Sequence, residues 1–292
     1  MNSEIFKQDL SVCDQHPGGP FIMTLLFRQP APMPDKAKFV ETLSKRLGRI
    51  ECFTYDDELA GFAALDHVAE FSDGKVPVQL MLPRFTEFDG RRIDGFTRSQ
   101  MWDCQGCRDE ILDDCRFSVI ATDLMAAGLP TEERANLDMD FMEALAELYP
   151  DCVAFYFNRS GKLFDAETIR SNTITGPDRF IRYAVNVRFF TIQGTDDMLV
   201  DTLGMGGLCL PDLQYHFHGI DPNSVVNHAY NTASYILTSG REIKSGETID
   251  GIKNGMIDRS IQWMCLYEAA LIQPEREVID INMGVYASGN RD

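Results

Sequence analysis

Apolar positions along this chain come in short continuous runs separated by amphipathic stretches, a pattern that predicts alternating strands and helices. Phe21–Phe27 (FIMTLLF) reads as a buried strand, and Pro30, Pro32 and Pro34 behind it cannot continue a ladder because each removes a donor. Asp35 then suits a helix N-cap; Phe39, Val40, Leu43 and Leu47 recur at helical spacing, Gly48 ends the helix, and Ile50–Tyr55 resumes as a strand. His67–Phe71 and Val76–Leu82 flank Asp73-Gly74, the turn chemistry of a hairpin. Further on, a helix is expected over Ser99–Cys115, a strand at Phe117–Thr122, a helix over Thr131–Tyr149 with Leu137, Phe141, Leu145 and Leu148 on its buried face, and a strand at Cys152–Phe157. The remainder predicts a long strand at Tyr183–Ile192, a β-segment at Leu213–Phe217, a helix over Pro222–Thr238, and strands at Glu247–Ile249, Ile261–Tyr267 and Val278–Met283.

The segment from Phe117 to Phe157 faintly echoes the opening pattern. The simplest architecture for this order is α+β: two related halves of ferredoxin-like type, residues 1–123 and 124–292, each a mostly antiparallel sheet backed by helices. No low-complexity linker parts them, so they are expected to pack as one body.

Composition narrows the class. With 292 residues and 44% apolar side chains the chain can bury a sizeable core. A net charge of −18 repels a polyphosphate backbone, which argues against nucleic acid and leaves a basic protein as the partner that charge alone favours. No apolar run approaches the ~20 residues that span a bilayer, and the opening segment has no signal-peptide pattern, so no membrane partner and a cytoplasmic location are expected. Cys13, Cys52, Cys104, Cys107, Cys115, Cys152, Cys209 and Cys265 are scattered through apolar segments and read as buried thiols.

Candidate chemistry concentrates in DTLGMGGLCLPDLQYHFHG, Asp201–Gly219. Gly204 and Gly206 lack the third glycine of a dinucleotide fingerprint, and no Lys-Ser or Lys-Thr pair follows as a phosphate loop requires. They read as turn glycines. On a strand, Asp212, His216 and His218 fall on one side, a parity compatible with metal ligation but short of a complete set; the alternative is a half-exposed strand with Leu213, Tyr215 and Phe217 inward. Cys104-Gln105-Gly106-Cys107 has no second ligand pair for zinc, and Cys104, Cys107, Ile111 and Cys115 fit a buried helical stripe better than a redox motif. No nucleophile elbow or zinc-protease motif occurs, so no catalytic residue, resident metal or cofactor is assigned. The binding candidates are Asp201, Thr202, Gly204, Asp212, His216 and His218.

The same segment, Asp201-Thr202-Leu203-Gly204-Met205 followed by Leu210-Pro211-Asp212-Leu213, Asp221-Pro222 and Gly246-Glu247-Thr248-Ile249, resembles a bacterial family catalogued as domain of unknown function 4261. The resemblance covers roughly the last third of the chain and implies a bacterial cytosolic protein, but carries no activity or site residue. Two readings follow. One is a non-catalytic cytosolic interaction protein, for instance an immunity-type acidic partner of a basic protein, with Asp56–Glu58 as a contact and room for a homodimer through an exposed sheet edge. The other is a metal-dependent or other hydrolase centred on residues 201–218.

Overall fold

The computed structural model describes residues 18–171, 173–241 and 243–289. Cys13, read above as a buried thiol, lies outside them. Two compact units emerge, Gly19–Ala184 and a second built on the chain from Val185 onward, and the architecture is α+β.

The first unit runs β1 (Ile22–Phe27), α1 (Lys36–Leu47), β2 (Ile50–Tyr55), β3 (Leu59–Phe71), β4 (Gly74–Pro83), β5 (Thr86–Glu87), α2 (Gly95–Ser99), α3 (Arg108–Asp114), β6 (Phe117–Leu124), α4 (Thr131–Leu148), β7 (Ala154–Phe157), β8 (Lys162–Asp165), α5 (Ala166–Arg170) and α6 (Arg179–Ala184). Its antiparallel sheet has the order β2-β3-β4-β6-β1-β7-β8, with β5 added on β6. Alternation sets the core: Met23, Leu25 and Phe27 of β1 are buried with Phe62, Leu80, Val119 and Phe155. Phe39 of α1 meets the Phe62 ring at 5.1 Å and the Tyr149 ring at 6.2 Å. Asp35 caps α1 as expected, its carboxylate accepting from Lys38 N at 2.9 Å.

Three expectations are corrected here. A break at residue 123 is not where the chain divides, because β7 pairs with β1, β1 pairs with β6, and the three strands share one sheet. The stretch 99–115 is not one helix but the end of α2, a 3-10 turn at Trp102–Cys104 and α3, interrupted around Gly106. Its stripe is nonetheless buried: Cys104, Ile111 and Cys115 pack with Leu26, Met101, Leu112, Ala154 and Leu163, and Cys107 lies against them. The predicted strand 183–192 begins as helix α6 and becomes strand only at Asn186.

A buried charge cluster joins β6 to α4. Arg134 Nε donates to Asp123 Oδ2 at 2.9 Å and Nη2 to Gly19 O at 2.7 Å, while Asp138 lies 4.0 Å from Arg134 Nε with neither carboxylate oxygen hydrogen-bonded. Burial, with Asp123 beside it, holds the Asp138 carboxyl well above the usual carboxylate range. A carboxyl whose folded pKa is raised contributes its full stability below the unfolded value and loses it as pH rises through the folded one. Asp138→Asn is therefore expected to match the parent in urea unfolding near pH 3.5, below the unfolded carboxyl value of about 3.9, and to exceed it increasingly as pH rises; a pH-independent difference would contradict this assignment.

The second unit contains β9 (Asn186–Thr191), β10 (Met198–Leu203), β11 (Asp212–Phe217), α7 (Pro222–Ser239), β12 (Thr248–Lys253), β13 (Met256–Ala269) and β14 (Glu277–Asn282). The sheet order is β12-β13-β14-β11-β10-β9, with β11 and β14 parallel and the other pairs antiparallel. A parallel central pair and one long helix depart from the ferredoxin-like half expected here. Asp221 caps α7 by accepting from Ser224 N at 3.0 Å, Pro222 opens the helix, and Gly240 follows it at φ 59°. No described helix is long and apolar enough to cross a membrane.

Candidate functional site

Strand β11 lies between β10 and β14 in the sheet, and all six of its residues are buried, so both of its faces are covered by other parts of the unit. This corrects the half-exposed strand expected from alternation. Leu213, Tyr215 and Phe217 occupy one face; Asp212, Gln214 and His216, on the other, are as deeply buried. Polar groups in that position must be paired.

The pairing comes from two arginines. Arg188 on β9 sits beside Asp201 in the β9–β10 register and binds it in a fork, Nε to Oδ1 at 2.8 Å and Nη2 to Oδ2 at 2.5 Å. Arg276, just before β14, donates Nε–H to Asp212 Oδ2 at 3.0 Å and Nη2–H to Asp201 Oδ2 at 2.8 Å and Thr202 O at 2.9 Å. Its Nη1 donates to Ile272 O and Pro274 O, at 3.0 and 2.9 Å, so all five N–H bonds are used. Thr202 Oγ1 donates to Asp212 Oδ1 at 3.1 Å and accepts from Leu213 N at 2.8 Å; Met205 N also donates to Asp212 Oδ1 at 3.1 Å. Asp212 feels opposing influences, burial raising its pKa and Arg276 with the Met205 N–H lowering it, and burial prevails. Beside this network Gln214 Nε2 donates to Glu268 Oε1 at 2.7 Å, and its Oε1 accepts from Leu271 N at 2.8 Å.

Three of the candidates, Asp201, Thr202 and Asp212, thus meet in one cluster. Asp201 and Thr202 both lie on β10 and bond across the sheet. Gly204 is a turn glycine, at φ 128° ahead of a 3-10 turn at Met205–Leu208. His216 and His218 lie elsewhere. His216 is buried with Nε2 4.0 Å from Asp197 Oδ2, and the exposed His218 places Nδ1 2.9 Å from Ser288 Oγ. Ser288 Oγ donates to Asp197 Oδ1 at 2.7 Å. This is an Asp-Ser-His contact with serine in the middle, not the relay in which histidine accepts the serine proton. Among the described residues no group of three or more His, Cys, Asp or Glu is placed to hold a metal ion.

On the opposite face, α7 and the β12–β13 hairpin enclose a groove of about 620 Å³ lined by His228, Asn231, Thr232 and Tyr235 of α7, by Arg241, Ile243 and Gly246 through Asp250, and by Ile257. His228 forms its floor. Its Nε2–H donates to Asp250 O at 2.7 Å, leaving Nδ1 to accept from Tyr215 OH at 3.0 Å, and its ring packs on Trp263 at 5.0 Å. Burial lowers the imidazole pKa, so it is held neutral with both nitrogens occupied. Tyr235 and Ile257 stand half exposed at the lip, 46% and 50%. The hairpin reaches the helix through a bulge at Asp250/Gly251, where a Cβ on Gly251 would lie 2.5 Å from Ile261 and 2.8 Å from Trp263.

The sequence reading missed Arg188, Arg276 and the groove. Arg188 did carry a signal: a charge inside the apolar run YAVNVRFFTI demands a buried carboxylate. Arg276 lies in a polar loop and carried none.

No curated protein and no solved structure matches the chain. Residues 201–282, which hold Asp201, Thr202, Asp212, Arg276, helix α7 and the groove, match the family described as domain of unknown function (DUF4261), so the similarity to that family lies in this C-terminal part.

Proposed function

We propose that this is a non-catalytic cytoplasmic binding protein whose α7–β12 groove receives a segment of a basic protein, the part an acidic immunity-type protein plays toward its target. The observation that carries this reading is the saturation of the segment's chemical groups. Asp201, Thr202 and Asp212 are buried and bonded to Arg188 and Arg276, and His228 has both nitrogens engaged, so none offers a free group to a substrate. The groove is different: it is open, has an apolar lip, and among its charged lining residues Glu247 and Asp250 outnumber Arg241. A rim of this sign steers a basic partner while the apolar lip contributes desolvation. Asp56–Glu58 is a weaker contact, because Asp56 organises the β2–β3 turn by accepting from Glu58 N and Leu59 N, and Glu58 pairs with Arg84 at 2.5 Å.

The double substitution Tyr235→Ser with Ile257→Ser removes the lip from half-exposed positions, where stability changes stay within about 0.5 kcal/mol each. It is expected to reduce capture of the partner from native lysate at least tenfold at low salt, with an unchanged melting temperature. Capture equal to the parent, or capture indifferent to raised salt, counts against the groove as the contact.

A further inference from the structure

The Cys104-Gln105-Gly106-Cys107 turn brings two sulfurs together that the function proposed above does not use. The backbone closes it, Cys107 N donating to Cys104 O at 3.0 Å, and the two Sγ atoms lie 3.6 Å apart, with neither in a disulfide. Four-residue turns hold their end Cα atoms within about 7 Å, inside the reach of a disulfide for most of that range. Gln105 and Gly106 are exposed, and Gly106 has open space around its Cα, so the turn can tighten without collision.

We propose that Cys104 and Cys107 form a reversible dithiol–disulfide pair, with Cys107 as the sulfur that meets the oxidant and Cys104 as the resolving sulfur. The assignment of roles follows accessibility. Cys107 is partly exposed, whereas Cys104 is buried among Leu26, Met101, Ile111, Leu112 and Leu163. Burial pushes the Cys104 thiol well up, so it is protonated in the resting dithiol and suits the second step. The co-reactant is a small-molecule disulfide such as oxidised glutathione. The Cys107 thiolate attacks one of its sulfurs, forming a mixed disulfide and expelling one thiolate. That thiolate takes the Cys104 proton as Cys104 Sγ attacks Cys107 Sγ, and a second small thiol leaves. Two protein thiols are oxidised and one small disulfide is reduced to two thiols. The bridge would tie the 3-10 turn carrying the exposed Trp102 to the start of α3, whose outer side bears Asp109, Glu110, Asp113 and Asp114.

The test is equilibration of the full chain in glutathione buffers of increasing oxidation, acid quench, thiol blocking and peptide mass mapping. The expected result is loss of both free thiols in one peptide with a mass lower by about 2 Da, reversed by dithiothreitol. Cys104→Ser should instead trap glutathione on Cys107, and Cys107→Ser should leave Cys104 unmodified over the same interval. Complete alkylation of both cysteines in the parent under the most oxidised buffer overturns the proposal. So does a glutathione adduct on Cys107 that persists while Cys104 stays free.

Discussion

Arg276→Met is expected to cost the second unit about 3–5 kcal/mol, the largest loss of any single substitution considered for this protein. The residue is 3% exposed and its five N–H bonds hold Asp201, Asp212 and three backbone carbonyls, so truncation strands Asp212 as a buried charge and removes one of the two arginines on Asp201. The deficit should depend on pH. The folded pKa of Asp212 is already raised by burial, so its contribution is full below the unfolded value near 3.9 and falls as pH rises through the folded one. Loss of Arg276 raises that folded value further and carries the window upward. Urea unfolding at pH 5, 7 and 8.5 should then show the variant closest to the parent at pH 5 and farthest at pH 8.5, and adding Asp212→Asn should recover part of the loss. A deficit below 1 kcal/mol at every pH would mean that the cluster is solvated rather than buried.

Gly251→Ala is expected to destabilise by about 1–3 kcal/mol, an overpacking penalty, and to move the hairpin away from α7. The new methyl would meet Ile261 and the Trp263 ring within van der Waals distance, and Trp263 is 2% exposed, so relief requires the hairpin to shift as a unit. Because Trp263 packs on His228, the shift reaches the groove floor. The measurement is tryptophan emission in a Trp102→Phe background, which leaves Trp263 as the reporter: the expected change is a red shift with increased quenching by iodide, together with weaker partner capture. Unchanged emission at unchanged stability would show that the bulge has slack and that groove shape does not depend on it.

Much of the fold was legible because its causes are local. Asp35 and Asp221 announce their helices through a short side chain able to accept from an N–H three residues on, and that chemistry depends on no distant partner. Phe21–Phe27 reads correctly as a strand for a similar reason, since a continuous apolar run bounded by prolines has few alternatives. Where two causes compete the reading fails. The cysteine stripe has helical spacing, yet Gly106 and the turn at Cys104 break the helix while keeping the stripe buried.

The segment from Asp201 to Gly219 shows the same division more sharply. The sequence by itself determined that Gly204 marks a turn and that Asp212 and His216 fall on one side of a strand, though the strand ends before His218. It could not determine that the polar side of β11 is buried, because alternation distinguishes two faces of a strand without saying which of them meets water. Only the tertiary structure decided that. It inserts β11 between β10 and β14 and brings Arg188 from β9, together with Arg276 from far along the chain, onto carboxylates that alternation alone would expose. The physical reason is that burying a charge depends on its partner's position in space, and no spacing along the chain encodes a contact 75 residues away.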